Sequence, residues 1–138
     1  MLMYTLALLA TCCAVVTDLR TRTIPNAIPG VLFLAAGVLT ALGHHPLGWS
    51  QAVLGLVAAS CITLPLFRRG WFGGGDTKLM MALGLTLGLQ PFLVFCAACA
   101  VAGGVLALAL RGRGEREMAY APAMLLGLLA FIPMTLAG

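Results

Sequence analysis

Long apolar segments, separated by short polar ones, make up most of the chain. Such segments are typical of membrane helices, because about 20 apolar residues are needed to cross a hydrocarbon core about 30 Å thick. Six of them occur, and we expect the second, fourth and fifth to form the short helices: residues 1–17, 28–43, 47–67, 79–89, 91–110 and 118–137. The pattern therefore predicts an all-α, polytopic membrane protein.

The stretch 79–110 is compatible with one helix or with two. A single helix over it would be about 48 Å long at about 1.5 Å per residue, which is too long for one ordinary span. Pro91 favours a break, because proline lacks an N–H and cannot continue the hydrogen-bond ladder of a preceding helix. We therefore predict two helices with a break near Gln90 and Pro91, and a bundle of six transmembrane helices in total.

The distribution of basic residues supports six helices. With that number, all eight lysines and arginines fall on one side of the membrane, in three clusters at 20–22, 68–78 and 111–116. The loops on the other side, around His44 and Gln90, contain no lysine or arginine. Because cytoplasmic loops carry such an excess, both chain termini are predicted to face away from the cytoplasm.

Composition excludes several classes of protein. The chain is 62% hydrophobic and 9% charged, whereas soluble domains are about 25% charged. Its 138 residues are one domain's worth of material, so we expect a single membrane-embedded domain over 1–138, in contact with the lipid bilayer. The short basic clusters do not form the contiguous basic face of a nucleic-acid-binding module, and no nucleic-acid partner is expected.

Neither the cysteines nor the histidines predict a metal site. All five cysteines lie in apolar segments, where they are expected to behave as small buried side chains. Cys96 and Cys99 have CxxC spacing, but no second pair completes a tetrahedral site. The adjacent His44 and His45 point in different directions and are expected at the membrane interface. The sequence therefore predicts no metal and no cofactor.

Two of the four acidic residues stand apart from the others. Glu115 and Glu117 alternate with arginines, as in a solvated loop. Asp18 ends the first apolar segment and Asp76 precedes the fourth, which puts both at the cytoplasmic ends of membrane helices. Ionisable groups at membrane depth are candidates for function.

Each of these aspartates also has a purely structural interpretation. Asp76 could be the N-cap of a helix that starts at Thr77, and Asp18 could be an interfacial charge beside Arg20 or Arg22. Together, however, they match what a water-activating dyad requires. In such a dyad an ionised carboxylate deprotonates a water, and a protonated one donates to the scissile carbonyl oxygen.

The helix ends predict how the pair shares its proton. Asp76 lies at a helix N-terminus, which favours the anion, and Lys78 is nearby. Asp18 lies at a helix C-terminus, which disfavours the anion, so the resting proton is predicted to reside mainly on Asp18. The glycine run 73–75 permits positive φ and close approach of another backbone. We expect it to make room for an extended peptide beside the dyad.

At these residues the chain resembles the type IV prepilin peptidases, which are membrane aspartic proteases with a GxGD signature that presenilin-type proteases share. The signature is found here as Gly73-Gly74-Gly75-Asp76-Thr77-Lys78-Leu79. The first aspartate motif of the family is found as Asp18-Leu19-Arg20 followed by Ile24-Pro25-Asn26. A weaker match is Tyr120-Ala121-Pro122-Ala123, where the family often has proline in place of Ala119.

The resemblance implies that Asp18 and Asp76 are the catalytic pair, supported by Gly73, Gly74, Gly75, Lys78, Pro25 and Asn26. It implies a pilin-like precursor as the substrate, cut on the cytoplasmic side of its leader, and a location in the bacterial inner membrane. Larger family members carry a zinc-binding domain before the first aspartate that methylates the trimmed pilin. Few residues precede Asp18 here, so the chain is similar to the short Flp/Tad-type form, which cleaves without methylating. Monomer and homo-oligomer both stay open.

Two other functions are compatible with the same residues. A small proton-coupled transporter or channel could use Asp18 and Asp76 as ion sites. Such a protein is expected to place carboxylates near the bilayer midplane, often within an inverted repeat, whereas these aspartates are at helix ends. In a purely structural subunit both aspartates would be dispensable.

Overall fold

The computed structural model describes residues 2–21 and 24–111, and every regular element within them is an α-helix. These helices are α1 (Leu2–Thr21), α2 (Ala27–Ala41), α3 (Trp49–Arg68), α4 (Gly74–Leu87) and α5 (Leu89–Arg111). The all-α prediction is confirmed for this part of the chain. The sixth predicted helix lies outside the described residues, as do Glu115, Glu117 and Tyr120, so the six-helix bundle and the single domain over 1–138 stay predictions.

Two of the helices, α1 and α3, are long and apolar enough to cross a membrane. With 15 and 14 residues, α2 and α4 are only about 22 and 21 Å long. The fifth apolar segment was expected to form a short helix, but α5 has 23 residues and extends beyond that segment at both ends, from Leu89 to Arg111. The apolar helices support a membrane protein.

The central helix of the described bundle is α4, which contacts α1, α2, α3 and α5. Its side chains are buried nearly throughout, at Thr77, Leu79, Met80, Ala82, Leu83, Leu85, Thr86 and Leu87. It packs closest on α3, where a Cβ at Gly55 or Gly84 would collide with the backbone of the other helix. Small residues at such a crossing allow two backbones to approach where no hydrophobic drive from water acts.

The predicted break near Gln90 and Pro91 is confirmed, and it lies at Gly88, between α4 and α5. Gly88 has φ 82° and ψ 174°, a conformation that is open almost only to glycine, and its N–H donates to Gly84 O at 3.0 Å. The α4 helix therefore ends at this residue. Pro91 lies in the first turn of α5, where a missing N–H costs nothing because helix-start N–H groups have no intrahelical acceptor.

His45 is buried beneath the end of α4, a contact that the expected position at the membrane interface had not indicated. It is 6% exposed, and its Nδ1 accepts the Leu47 N–H at 3.2 Å. Burial lowers the pKa of His45, and the nearby carbonyl groups of Leu85 and Thr86 oppose that shift. The connection between α2 and α3 therefore covers the end of α4 opposite to Asp76.

Candidate active site

The start of α4 holds Asp76 in a fixed orientation. Gly73 is the N-cap, with φ −69° and ψ 154°, and the helix begins at Gly74. The Gly73 N–H donates to the Asp76 carboxylate, and the Thr77 hydroxyl donates to Gly73 O at 3.0 Å. A side chain at the third helical position that bonds back to the N-cap N–H is one half of a capping box.

The prediction that Asp76 is itself the N-cap of a helix from Thr77 is therefore wrong. The helix starts earlier because Gly74 and Gly75 adopt helical geometry and are its first two residues. Their low intrinsic propensity for helix is overridden by contacts with the rest of the protein.

Burial dominates the ionisation of Asp76, which lies before the apolar run 79–89 at the end of the bundle. Its Oδ1 is buried and has no hydrogen-bond partner among the described residues. Burial first, and then the charge of Asp18, raise the pKa of Asp76 to about 6, while the Gly73 N–H opposes the shift. This direction runs against the prediction that the helix N-terminus keeps Asp76 the anion of the pair, because desolvation of the charged form outweighs the dipole.

Asp18 lies in the last turn of α1 and is half-buried. Its charge acts on Asp76, so the two carboxyl groups lie within electrostatic range of each other. The helices that carry them are in contact, and α1 is anchored in the core by Ala14 and Val15. The structure thus brings the two candidate catalytic residues to the same end of the bundle.

The segment 24–26, which leads into α2, lies against the first turn of α4. Lys78 Nζ donates to Asn26 Oδ1 at 3.0 Å. A Cβ at Gly75 would lie 2.8 Å from Ile24 Cβ and 2.9 Å from Ile24 O. The two sequence motifs that contain the aspartates are therefore in direct contact.

The glycine run serves close approach but not positive φ. The positive-φ glycine of this connection is Gly70, at φ 72°, and none of the three glycines at 73–75 has a positive φ. Close approach occurs at Gly75, and the neighbour is Ile24 of the same chain. At Gly73, a Cβ would lie 3.2 Å from Asp76 Oδ2, so a larger residue there would crowd the carboxylate.

Pro25 and Asn26 start α2. The carbonyl oxygens of Pro25 and Asn26 accept the N–H groups of Ile28 and Gly30, both at 3.1 Å. Asn26 is the N-cap, but its side chain makes no capping bond. Its Oδ1 accepts from Lys78 instead. Pro25 thus contributes to the helix start, and Asn26 to the contact with α4.

The sequence model of the type IV leader peptidase family matches residues 4–108, which is more than half of the chain and includes both aspartates. The chain belongs to the type IV leader peptidase family. Comparison with curated proteins and with solved structures gives no significant match. Membership of the leader peptidase family supports a peptidase role and implies a prepilin substrate.

For a leader peptidase, the arrangement offers two half-buried carboxyl groups, and the charge of Asp18 helps to raise the pKa of Asp76. Among the described residues, no group of three histidine, cysteine or acidic side chains could hold a metal ion. The sequence had not indicated that Ile24 packs on Gly75, nor that Gly73 hydrogen-bonds Asp76. The motif Ile24-Pro25-Asn26 was a signal for the first contact, but only the fold pairs it with α4.

Proposed function

We propose that the chain is a membrane aspartic endopeptidase that removes the leader of type IV, Flp-like prepilins or pseudopilins. Asp18 and Asp76 form the catalytic pair. The observation that carries this proposal is that Asp18 in the last turn of α1 and Asp76 in the first turn of α4 lie at the same end of two helices in contact, where the charge of Asp18 acts on Asp76. A nearby negative charge disfavours ionisation of a carboxyl group, so Asp18 helps Asp76 to keep its proton.

The proposed reaction is a direct attack of water on the scissile peptide bond. The ionised member of the pair removes a proton from the water, whose oxygen adds to the carbonyl carbon. The protonated member donates its proton to the carbonyl oxygen. The tetrahedral intermediate then collapses as the C–N bond breaks, and the carboxyl group that took the proton from water gives it to the leaving nitrogen. One hydroxyl proton of the intermediate returns to the other carboxylate, which yields a new carboxyl group, a new amine and the pair in its starting state. A pKa of about 6 for Asp76 allows that residue to hold or release a proton near neutral pH.

Gly73 supports access of a peptide to the pair. It is exposed, it neighbours the Asp76 carboxylate, and its lack of a Cβ leaves that carboxylate uncrowded. Gly75 serves a different purpose, because the space beside it is filled by Ile24. We therefore infer that a substrate reaches Asp76 past Gly73.

The site is proposed to face the cytoplasm of a bacterial inner membrane, with several helices spanning the bilayer. The support for this is the sequence: all eight lysines and arginines fall on the side of the two aspartates, as the positive-inside rule predicts for cytoplasmic loops. Cleavage without methylation is also proposed, by resemblance to the short Flp/Tad-type members of the family.

Co-expression with an Flp-type pilin precursor tests the proposal. Leader removal is followed by gel mobility and by mass for the wild type, Asp18→Asn and Asp76→Asn. Glu115→Gln and Glu117→Gln are matched controls, because they neutralise the other two carboxylates. We expect cleavage by the wild type and both controls, an unmethylated product, and no cleavage by either asparagine variant.

Cleavage that survives either asparagine substitution would reject the dyad. If the wild type cleaved no pilin-like precursor while proton flux into vesicles depended on Asp18 and Asp76, the transporter function would replace the peptidase. The positions of the aspartates favour the peptidase. Asp18 is in the last turn of α1 and Asp76 in the first turn of α4, whereas a transporter is expected to hold its ion near the midplane.

A further inference from the structure

The segment 24–26 and the first turn of α4 are joined at two separate points. Ile24 packs on Gly75, at a distance that excludes a Cβ, and Asn26 Oδ1 accepts a hydrogen bond of 3.0 Å from Lys78 Nζ. Gly75 and Lys78 flank Asp76 in the sequence. We call this pair of contacts the clasp, formed by Ile24 and Asn26 on one side and by Gly75 and Lys78 on the other.

The clasp connects the two halves of the candidate dyad. Asp18 lies in the last turn of α1, and the segment 24–26 is part of the connection that follows that helix. Ile24 also packs against the buried core of the bundle. Only five residues separate Asp18 from Ile24 in the sequence. The contact of Ile24 with Gly75 therefore limits how far Asp18 can lie from the first turn of α4.

Lys78 is poorly placed to act on Asp76 directly. At about 100° per residue, its side chain leaves α4 about 200° away from that of Asp76. The influences on the pKa of Asp76 are burial, the charge of Asp18 and the Gly73 N–H, and the charge of Lys78 is not among them. The ammonium group instead donates to a neutral amide oxygen.

We propose that Lys78 is a positioning residue that acts through Asn26: the clasp holds Asp76 buried and next to Asp18. This inference rests on the proposed function, because it assumes that these two aspartates do the chemistry. In this role Lys78 contacts neither the substrate nor the two aspartates. Loss of the clasp lets water reach Asp76, which makes its carboxylate easier to ionise.

A double-mutant cycle on the full chain in detergent tests the clasp. The variants are Lys78→Met, Asn26→Ala and the double variant, each measured for kcat and KM in leader cleavage. Because both substitutions remove the same hydrogen bond, we expect each to lower kcat about tenfold with little change in KM, and the double variant to be no worse than either. Lys78→Arg keeps a donor for Asn26 and is expected to restore most of the activity.

A second readout follows the proton on Asp76 and does not depend on cleavage. The infrared carboxyl band that disappears in Asp76→Asn is titrated in each variant. Lys78→Met and Asn26→Ala are expected to lower its midpoint from about 6 by a similar amount. The control is Arg69→Met, which removes a neighbouring positive charge that contacts the Trp71 ring at 5.8 Å and belongs to no part of the clasp. It should leave kcat and the midpoint unchanged.

Three results would overturn the clasp. In the first, Lys78→Met abolishes cleavage while Asn26→Ala does not. In the second, the fold-loss in kcat of the double variant equals the fold-losses of the two single variants multiplied together. Either would assign Lys78 a direct role on the substrate. Equally, an unchanged Asp76 midpoint in both single variants would show that the hydrogen bond does not position that residue. Cleavage by Asp18→Asn or Asp76→Asn would reject the dyad itself, and the midpoint titration still decides whether the clasp keeps Asp76 buried.

Discussion

The three glycines at 73–75 give the sharpest test of the site, because the same change at adjacent positions is expected to have three different effects. None of them has a positive φ, so alanine meets no backbone strain in this run. Each effect must then come from what the new methyl group touches. The alanine series therefore separates the contacts of the first turn of α4 from one another.

The expected sizes follow from the distances. A Cβ at Gly75 would lie 2.8 Å from Ile24 Cβ and 2.9 Å from Ile24 O, and relief of such overpacking costs about 1–3 kcal/mol. A Cβ at Gly74 would lie 3.7 Å from Phe67 Cε2, an ordinary contact, while helix propensity favours alanine by up to about 1 kcal/mol. A Cβ at Gly73 would lie 3.2 Å from Asp76 Oδ2, so the carboxylate must shift.

The assay pairs the free energy of unfolding, from denaturant titration in detergent, with the rate of leader cleavage. We expect Gly75→Ala to lose stability and activity together, because segment 24–26 is displaced. Gly73→Ala should lose activity with little loss of stability, and Gly74→Ala should keep both. If Gly74→Ala were as inactive as Gly73→Ala at full stability, the run would be needed as open space for a substrate, and the contact-by-contact explanation would be refuted.

Two further predictions concern charge and packing. In Asp18→Asn, the infrared carboxyl band of Asp76 should titrate with a midpoint below about 6 but still above 3.8. The charge of Asp18 is then removed, while burial, which is the larger cause of the raised pKa, remains. An unchanged midpoint would contradict the proximity of the pair. Since the folded state binds this proton more tightly than the unfolded chain does, the contribution of Asp76 to stability should increase as the pH falls from about 6 towards 3.8. Gly55→Ala should destabilise the protein by several kcal/mol, because the new Cβ meets the backbone at Gly84. Gly37→Ala is the control and should be neutral, because a Cβ there meets nothing within 4 Å. Equal effects of the two substitutions on thermal unfolding would refute the close α3–α4 crossing.

Much of the described fold follows from the hydrophobic pattern. The apolar segments locate α1, α2 and α3 to within a few residues, because long apolar runs have few alternatives in a membrane. The start of α4 was misplaced, and the break before α5, predicted near Gln90 and Pro91, lies at Gly88. In both places glycines decide the local geometry: Gly74 and Gly75 join the helix, and Gly88 ends it. Glycine permits several backbone conformations, so its sequence position does not reveal which one the tertiary contacts select.

The candidate site was only partly predictable. Charge distribution and topology place Asp18 and Asp76 at the same end of the bundle, and the resemblance to prepilin peptidases names them as a pair. Burial of Asp76 depends on how four helices pack around α4, which no local pattern encodes. The hydrogen bond between Lys78 and Asn26 spans 52 residues of sequence, so it too becomes visible only in the folded chain.

The most direct test of the central claim is the rate of leader removal at pH 7 by the purified protein and by Asp18→Asn, Asp76→Asn and the double variant, each shown to be folded by its unfolding transition. A dyad that transfers protons predicts that each single variant loses at least about 10²-fold in rate. Because the two residues act as a unit, the double variant should lose little more. A folded single variant whose rate stays within a few-fold of the wild type would contradict the account.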